Sequence, residues 1–303
     1  GHVLSFVKYT VVNNEWFKEF ICDECGTTVL EAYSGVVAGI GNNPYDSLEA
    51  AYQAAVNGDT ITLYADVTIS DVNGFAIAKE ITIDFNQHTV EFTTKKAFRP
   101  TADVTFKNGT ILNESVNGRC INLRATCDVV VENMNLIASA SWGTQPITVG
   151  VGSGSTVQVI NSTIEAGDSG YAIILFAKAD IVVEDSTING WNTLYFKDDA
   201  SGSSAGSTAT LKNTDIYSLN KYVDSTNTNS FNVITVEAGE ITVTVDEQSS
   251  ITVETTGDQT QNVLGTTTGF KPRNYVVTID ATITLVGDHA ALAGGIPCTN
   301  TLY

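Results

Sequence analysis

Five short stretches of the chain repeat one alternation of apolar and polar positions. They are VTFKNGTIL (104–112), VVVENMNLI (129–137), VQVINSTIE (157–165), IVVEDSTIN (181–189) and ATLKNTDIY (209–217). Each reads apolar, any, apolar, any, then Asn or once Asp, and an Ile or Leu follows three residues later. The polar residues are Asn108, Asn133, Asn161, Asp185 and Asn213, recurring about every 25 residues, a period that means stacked units sharing one core. The strict alternation predicts strands. Asn at each corner predicts a turn residue that tolerates left-handed backbone angles and bonds its counterparts above and below. A structural ladder is therefore expected of these five positions, and no catalytic role.

Cut on this ruler, the chain divides at 58–80, 81–103, 104–128, 129–156, 157–180, 181–208, 209–240, 241–274 and 275–303. About nine coils at the parallel-strand spacing of about 4.8 Å make a rod of roughly 40 Å. Inward positions recur as Val104 and Phe106, Val129 and Val131, Ile121 and Leu123, Ile147 and Val149, Ile173 and Leu175, Leu194 and Phe196. No coil can bury its apolar side alone.

Upstream the pattern changes. SFVKYTVVN (5–13) and EWFKEFICD (15–23) alternate as two strands about Asn13-Asn14. Ser34–Asn43 reads as a Gly-rich linker, so residues 1–41 are expected to form a small β-ribbon and 42–303 the stacked body. Within YDSLEAAYQAAVNGDTITL (45–63), Leu48, Ala51, Tyr52, Ala55 and Val56 make one helical stripe. Asp46 with Glu49 resembles a capping box. A helix over about 46–57 is expected to cover the open first coil, whose unpaired edge would otherwise invite aggregation.

The φxφxN repeats and the leading SLEAAYQAAVNGDTITL resemble the right-handed parallel β-helix of the pectin-lyase-like superfamily, as found in bacterial secreted and surface proteins. The resemblance covers about residues 44–303. It implies an all-β, single-stranded right-handed parallel β-helix with a capping helix, and a family that holds both polysaccharide-cleaving enzymes and passive surface modules. Its hydrolase branch carries NTD, paired Asp, GHG and RIK-like motifs in that order. Here Asn213-Thr214-Asp215 follows Lys197-Asp198-Asp199, the reverse order, and neither GHG nor RIK occurs. For a lyase the resemblance implies an Arg or Lys base beside calcium-binding carboxylates. Arg119, Arg124 and Lys178 are the candidates for the base. Asp103, Asp128 and Asp180 could bind calcium, although Asp before a strand is more often a turn former.

The net charge of −19 disfavours nucleic acid and anionic membrane surfaces as partners. No apolar run approaches the roughly 18–20 residues of a membrane span. Gly1 reads as a trimmed end, with any signal or anchor elsewhere, and the expected location is extracellular or at the cell surface.

The aromatic residues carry the functional expectation. Trp142, Tyr171 and Trp191 fall in the connection between the second and third strands of successive coils, with Asp168, Arg119 and Glu114 nearby. Aromatic faces beside carboxylates suit sugar rings; loop packing is the alternative. The expected role is a non-catalytic, adhesin-like module for a polysaccharide or surface glycan. A polysaccharide lyase or glycoside hydrolase is the first alternative and a purely structural stalk the second.

The chain has five cysteines. Cys120 and Cys127 fall at small inward positions and read as buried thiols; Cys298 lies in the tail. CDECG (22–26) resembles one knuckle of a zinc ribbon, with His2 as a third ligand for zinc. A Cys22–Cys25 disulfide and free thiols remain open for the same residues.

Overall fold

The computed structural model describes residues 2–140, 143–220, 231–266 and 274–294. Trp142 and Cys298 lie outside these residues. The protein is all-β, 58% strand against 3% helix. Among the described residues, the strands form a three-stranded antiparallel ribbon, an 18-stranded sheet, a nine-stranded sheet and one two-stranded ribbon. The two large sheets are parallel, apart from the antiparallel pairings of Ala38–Ile40 at one edge.

Each strand of the parallel stack pairs with its counterpart one repeat further along the chain. In the large sheet one inward column runs Val104, Val129, Val157, Ile181, Ala209, Val243, Val277. In the nine-stranded sheet the matching column runs Ile121, Ile147, Ile173, Leu194, Ile234, Leu264. Every member except Val277 is buried, and Val277 packs on the same core. Neighbouring repeats therefore supply both the hydrogen bonds and the apolar contacts that a single repeat lacks. Near the N-terminal end the core is aromatic. Phe98 meets Phe92 at 5.0 Å, Phe106 at 5.0 Å and Phe75 at 5.5 Å between ring centroids, mostly edge to face, the arrangement ring quadrupoles favour.

All five ladder residues have left-handed φ: Asn108 62°, Asn133 54°, Asn161 46°, Asp185 50° and Asn213 45°. Their amides bond along the stack. Nδ2 of Asn133 donates to Oδ1 of Asn108 at 3.2 Å, and Nδ2 of Asn161 to Oδ1 of Asn133 at 2.6 Å. The row extends past the repeated motif. Asn108 donates to Asp84 at 3.0 Å, and the backbone N–H of Asn213 donates to Asp246 at 3.1 Å. Asp185 accepts from Asn213 Nδ2 at 2.7 Å. A carboxylate has no proton to pass on, so the residue aligned with Asn161 cannot continue the row. Just inside the corner runs a second row of buried hydroxyls. Ser162, Ser186 and Ser249 accept backbone N–H bonds from Met134, Ser162 and Thr214 at 3.0, 3.1 and 2.9 Å.

The N-terminal region departs from expectation in four places. The ribbon has a third strand, Thr28–Ala32, beside Leu4–Val12 and Glu15–Cys22. The expected linker contains Ala38–Ile40, which pairs antiparallel with both Asn43–Tyr45 and Thr60–Leu63. It covers the first edge of the large sheet, and a side chain at Gly39 would strike Trp16 of the ribbon. The helix is only Leu48–Ala54, and its N-cap is Ser47, whose Oγ accepts from Ala50 N at 3.2 Å, instead of Asp46. Because the helix stops early, Val56 leaves the stripe and is 64% exposed. The stop has a tertiary cause: Lys79 Nζ donates to the carbonyls of Tyr52, Gln53 and Ala55 at 2.6, 3.0 and 2.7 Å, satisfying orphan acceptors at a helix C-terminus. Leu48 and Ala51 are buried against the first coil, and Tyr52 meets Phe75 at 5.3 Å.

Three substitutions test the corner. Asn133→Gly removes the amide bonds but keeps the left-handed turn easy. Asn133→Ala adds the backbone penalty and should destabilise further, by about 1 kcal/mol. Equal losses in denaturant midpoint would show that left-handedness does not select Asn. Asp185→Asn restores the missing donor toward Asn161 and should stabilise by about 1 kcal/mol; a lower midpoint would contradict the interruption.

A candidate ligand cleft beside Trp191

Three strands of the large sheet, Thr163–Ala166, Thr187–Asn189 and Asp215–Asn220, place Glu165, Asn189 and Tyr217 in one outward column. The connections that follow carry Asp168 and Trp191. Together with Gly167, Gly190 and Leu219 these residues line an open cleft of about 270 Å³. The glycines sit where room is short. A side-chain carbon at Gly167 would strike the Ala140 carbonyl, and one at Gly190 would press on Ala166.

Trp191 is held from behind. Its carbonyl accepts from Ser218 Oγ at 3.0 Å and from Gln261 Nε2 at 2.7 Å. Its ring contacts Tyr171 at 5.9 Å and Phe231 at 4.3 Å. The indole Nε1 is buried and meets no hydrogen-bond partner among the described residues. Tyr217 donates its hydroxyl to Glu254 Oε2 at 2.5 Å, a bond that raises its pKa. Behind Tyr171 lies Tyr195 at 5.4 Å, whose hydroxyl donates to buried Glu237 at 2.6 Å. Burial, and then the Glu237 charge, push the Tyr171 phenol up. Tyr171 and Tyr217 are therefore phenols, not phenolates, at neutral pH.

The sequence-derived candidates separate on this geometry. Trp191 and Asp168 line the cleft, and Tyr171 supports Trp191 from one side. Arg119 does not line it: its Nε donates to Gln145 at 2.9 Å, and burial, with Arg124 nearby, lowers its pKa. Glu114 is exposed elsewhere. Glu165, Asn189 and Tyr217 escaped the sequence reading, although each directly follows the inward Ile of its repeat and so points outward by simple alternation.

The enzyme-like motifs are not brought together. Asn213 belongs to the ladder, and Asp215 accepts from Ser250 at 2.5 Å. Asp199 lies past the end of the other sheet, where a hydrogen bond from Lys197, then those from Ser201, hold its carboxyl at about 2. The three candidate calcium residues bond instead to the coil that follows each. Asp103 accepts from Asp128 N at 2.8 Å, Asp128 from Thr156 N at 3.2 Å and Asp180 from Thr208 Oγ1 at 2.7 Å.

Among the described residues one group of three metal-type ligands converges. The ligand atoms of His2, Cys22 and Cys25 lie within 4.8 Å of one another. Cys120 and Cys127 are buried, and burial pushes Cys120 far up and Cys127 to about 11. The exposed Cys25 thiol is shifted down, first by its Thr27 hydrogen bond.

Comparison with known protein families, with curated proteins and with solved structures finds no match to this chain. No helix among the described residues is long and apolar enough to cross a membrane.

The thiols give a direct check. In chelator-treated native protein at pH 7–8, an alkylating reagent should label Cys25 quickly and leave Cys120 and Cys127 unlabelled until denaturant is added. Peptide mass spectrometry reads the result, and native labelling of Cys120 would contradict its burial.

Proposed function

We propose that the chain is a single-stranded right-handed parallel β-helix of about nine coils, of the pectin-lyase-like kind. We propose further that it serves as a non-catalytic, adhesin-like module binding carbohydrate at an extracellular surface. The fold reading is supported by the unbroken one-repeat offset of parallel pairs in both large sheets. The functional reading rests on the cleft in which Trp191 stands beside Glu165, Asp168, Asn189 and Tyr217.

An indole edge and a phenol offer an apolar wall, and two carboxylates and an amide offer acceptors and donors at its rim. That combination matches a sugar ring, which is apolar on its C–H faces and polar around its edge. At about 270 Å³, the cleft falls just below the roughly 300–1,000 Å³ of common small-molecule sites. It fits a single sugar unit of a longer chain that continues along the surface. The lining has no Lys or Arg and the chain is strongly acidic. Neutral or amino sugars are therefore the expected ligands, because a uronate would face carboxylates without a compensating cation.

The test is a glycan array followed by titration. Trp191→Ala should weaken binding to the best neutral glycan about tenfold or more, the loss of roughly 1.4 kcal/mol. Glu114→Gln should leave binding unchanged. Equal binding by wild type and Trp191→Ala would remove the cleft as the site. Release of reducing ends or unsaturated products from a polysaccharide panel would replace the binding module with an enzyme, and absence of any glycan binding would favour a stalk.

A further inference from the structure

We propose that His2, Cys22 and Cys25 bind one zinc ion that clasps the N-terminal ribbon. Cys22 ends the strand Glu15–Cys22, and Cys25 sits in the turn to Thr28–Ala32. The turn is tightly knit. Gly26 N donates to the Cys22 carbonyl at 2.8 Å, and Cys22 N donates to the Thr27 carbonyl at 2.9 Å. Gly26 takes φ 69°, as a tight reversal requires. His2 arrives from the other strand, just before Leu4–Val12. Asp23 N donates to the Val3 carbonyl at 3.0 Å, and Ser5 Oγ donates to the Asp23 carboxylate at 3.0 Å. These bonds bring His2 Nδ1 to 3.2 Å from Cys22 Sγ.

The spacing suits the metal. Zinc bonds of about 2.3 Å to sulfur and 2.0–2.1 Å to nitrogen place tetrahedral ligand atoms about 3.5–3.8 Å apart. Three ligand atoms mutually within 4.8 Å need only small side-chain adjustments to close on one ion. Two thiolates and an imidazole are a donor set zinc favours. The fourth position faces solvent, with the Glu24 carboxylate 3.5 Å from His2 Nδ1.

The ribbon also has need of a clasp. Among its described residues only Trp16 and Cys22 are buried hydrophobics. Trp16 packs away from the ribbon tip, against Tyr64 at 5.2 Å. Leu4, Phe6, Val7 and Leu30 are 45%, 51%, 50% and 44% exposed. A three-stranded ribbon with so small a core is marginal by itself, and a metal is one of the standard ways small units are held. An ion at this point ties the start of the first strand to the turn joining the other two.

The experiment titrates the reduced, chelator-treated 303-residue chain with cobalt(II) and then displaces it with zinc. One equivalent of cobalt should produce thiolate-to-cobalt absorption, which zinc abolishes. Cys22→Ser and Cys25→Ser should each lose that absorption, and His2→Ala should shift its half-point to higher cobalt. The wild-type titration needs no variant to fold: absence of the absorption there overturns the proposal. So does equal zinc retention by wild type and Cys25→Ser, read by elemental analysis. Glycan binding at Trp191 is distant from the ribbon, so either result leaves that reading to its own test.

Discussion

Everything in this molecule depends on parallel strands finding their partners one repeat away. A strand such as Val104–Leu112 pairs with Ile81–Asp84 and Thr89–Phe92 on one side and with Asp128–Ala138 on the other, so its position is set by coils it does not belong to. The corners must then turn at the same place in every coil, or the columns of Val and Ile would slip out of the core. Left-handed Asn at four of five successive corners, with Asp185 at the other, meets that demand through the backbone, and the amide and hydroxyl rows meet it through hydrogen bonds. The core is continuous because the corners share one left-handed geometry.

Much of this was legible in the sequence, because period-2 alternation and a recurring Asn are local signals. The inward columns, the corner residues and the existence of a leading helix all followed from them. What failed was set by contacts that a local pattern cannot register. Lys79 shortens the helix from the far end of the first coil, which turns Val56 to solvent. Gly39 looks like linker composition, yet the Trp16 ring fills the space a side chain would take. Asp84 was invisible as the ladder's first member because it stands opposite Lys107, one residue out of step with Asn108.

The cleft shows the same division. Trp191 and Asp168 were found from residue type, since exposed aromatics beside acids are conspicuous in any sequence. Glu165, Asn189 and Tyr217 are ordinary residues made neighbours by register. They are readable only by carrying the outward alternation across coils. Arg119 sits in a strand of the neighbouring sheet, where Gln145 in the next coil occupies its guanidinium. A side chain that reads as available is in fact held by its neighbour in the stack.

The corner amides all donate in one direction, each toward the preceding coil. A uniform column of this kind has no natural end, and unbroken Asn ladders are among the features that let amyloid strands add without limit. Here the column meets a carboxylate at Asp84, again at Asp185 and again at Asp246. Each can receive a donor but cannot offer one onward. The aspartates therefore act as punctuation in an otherwise repetitive text. They divide the amide row into short runs, so that no continuous Asn column extends along the whole stack.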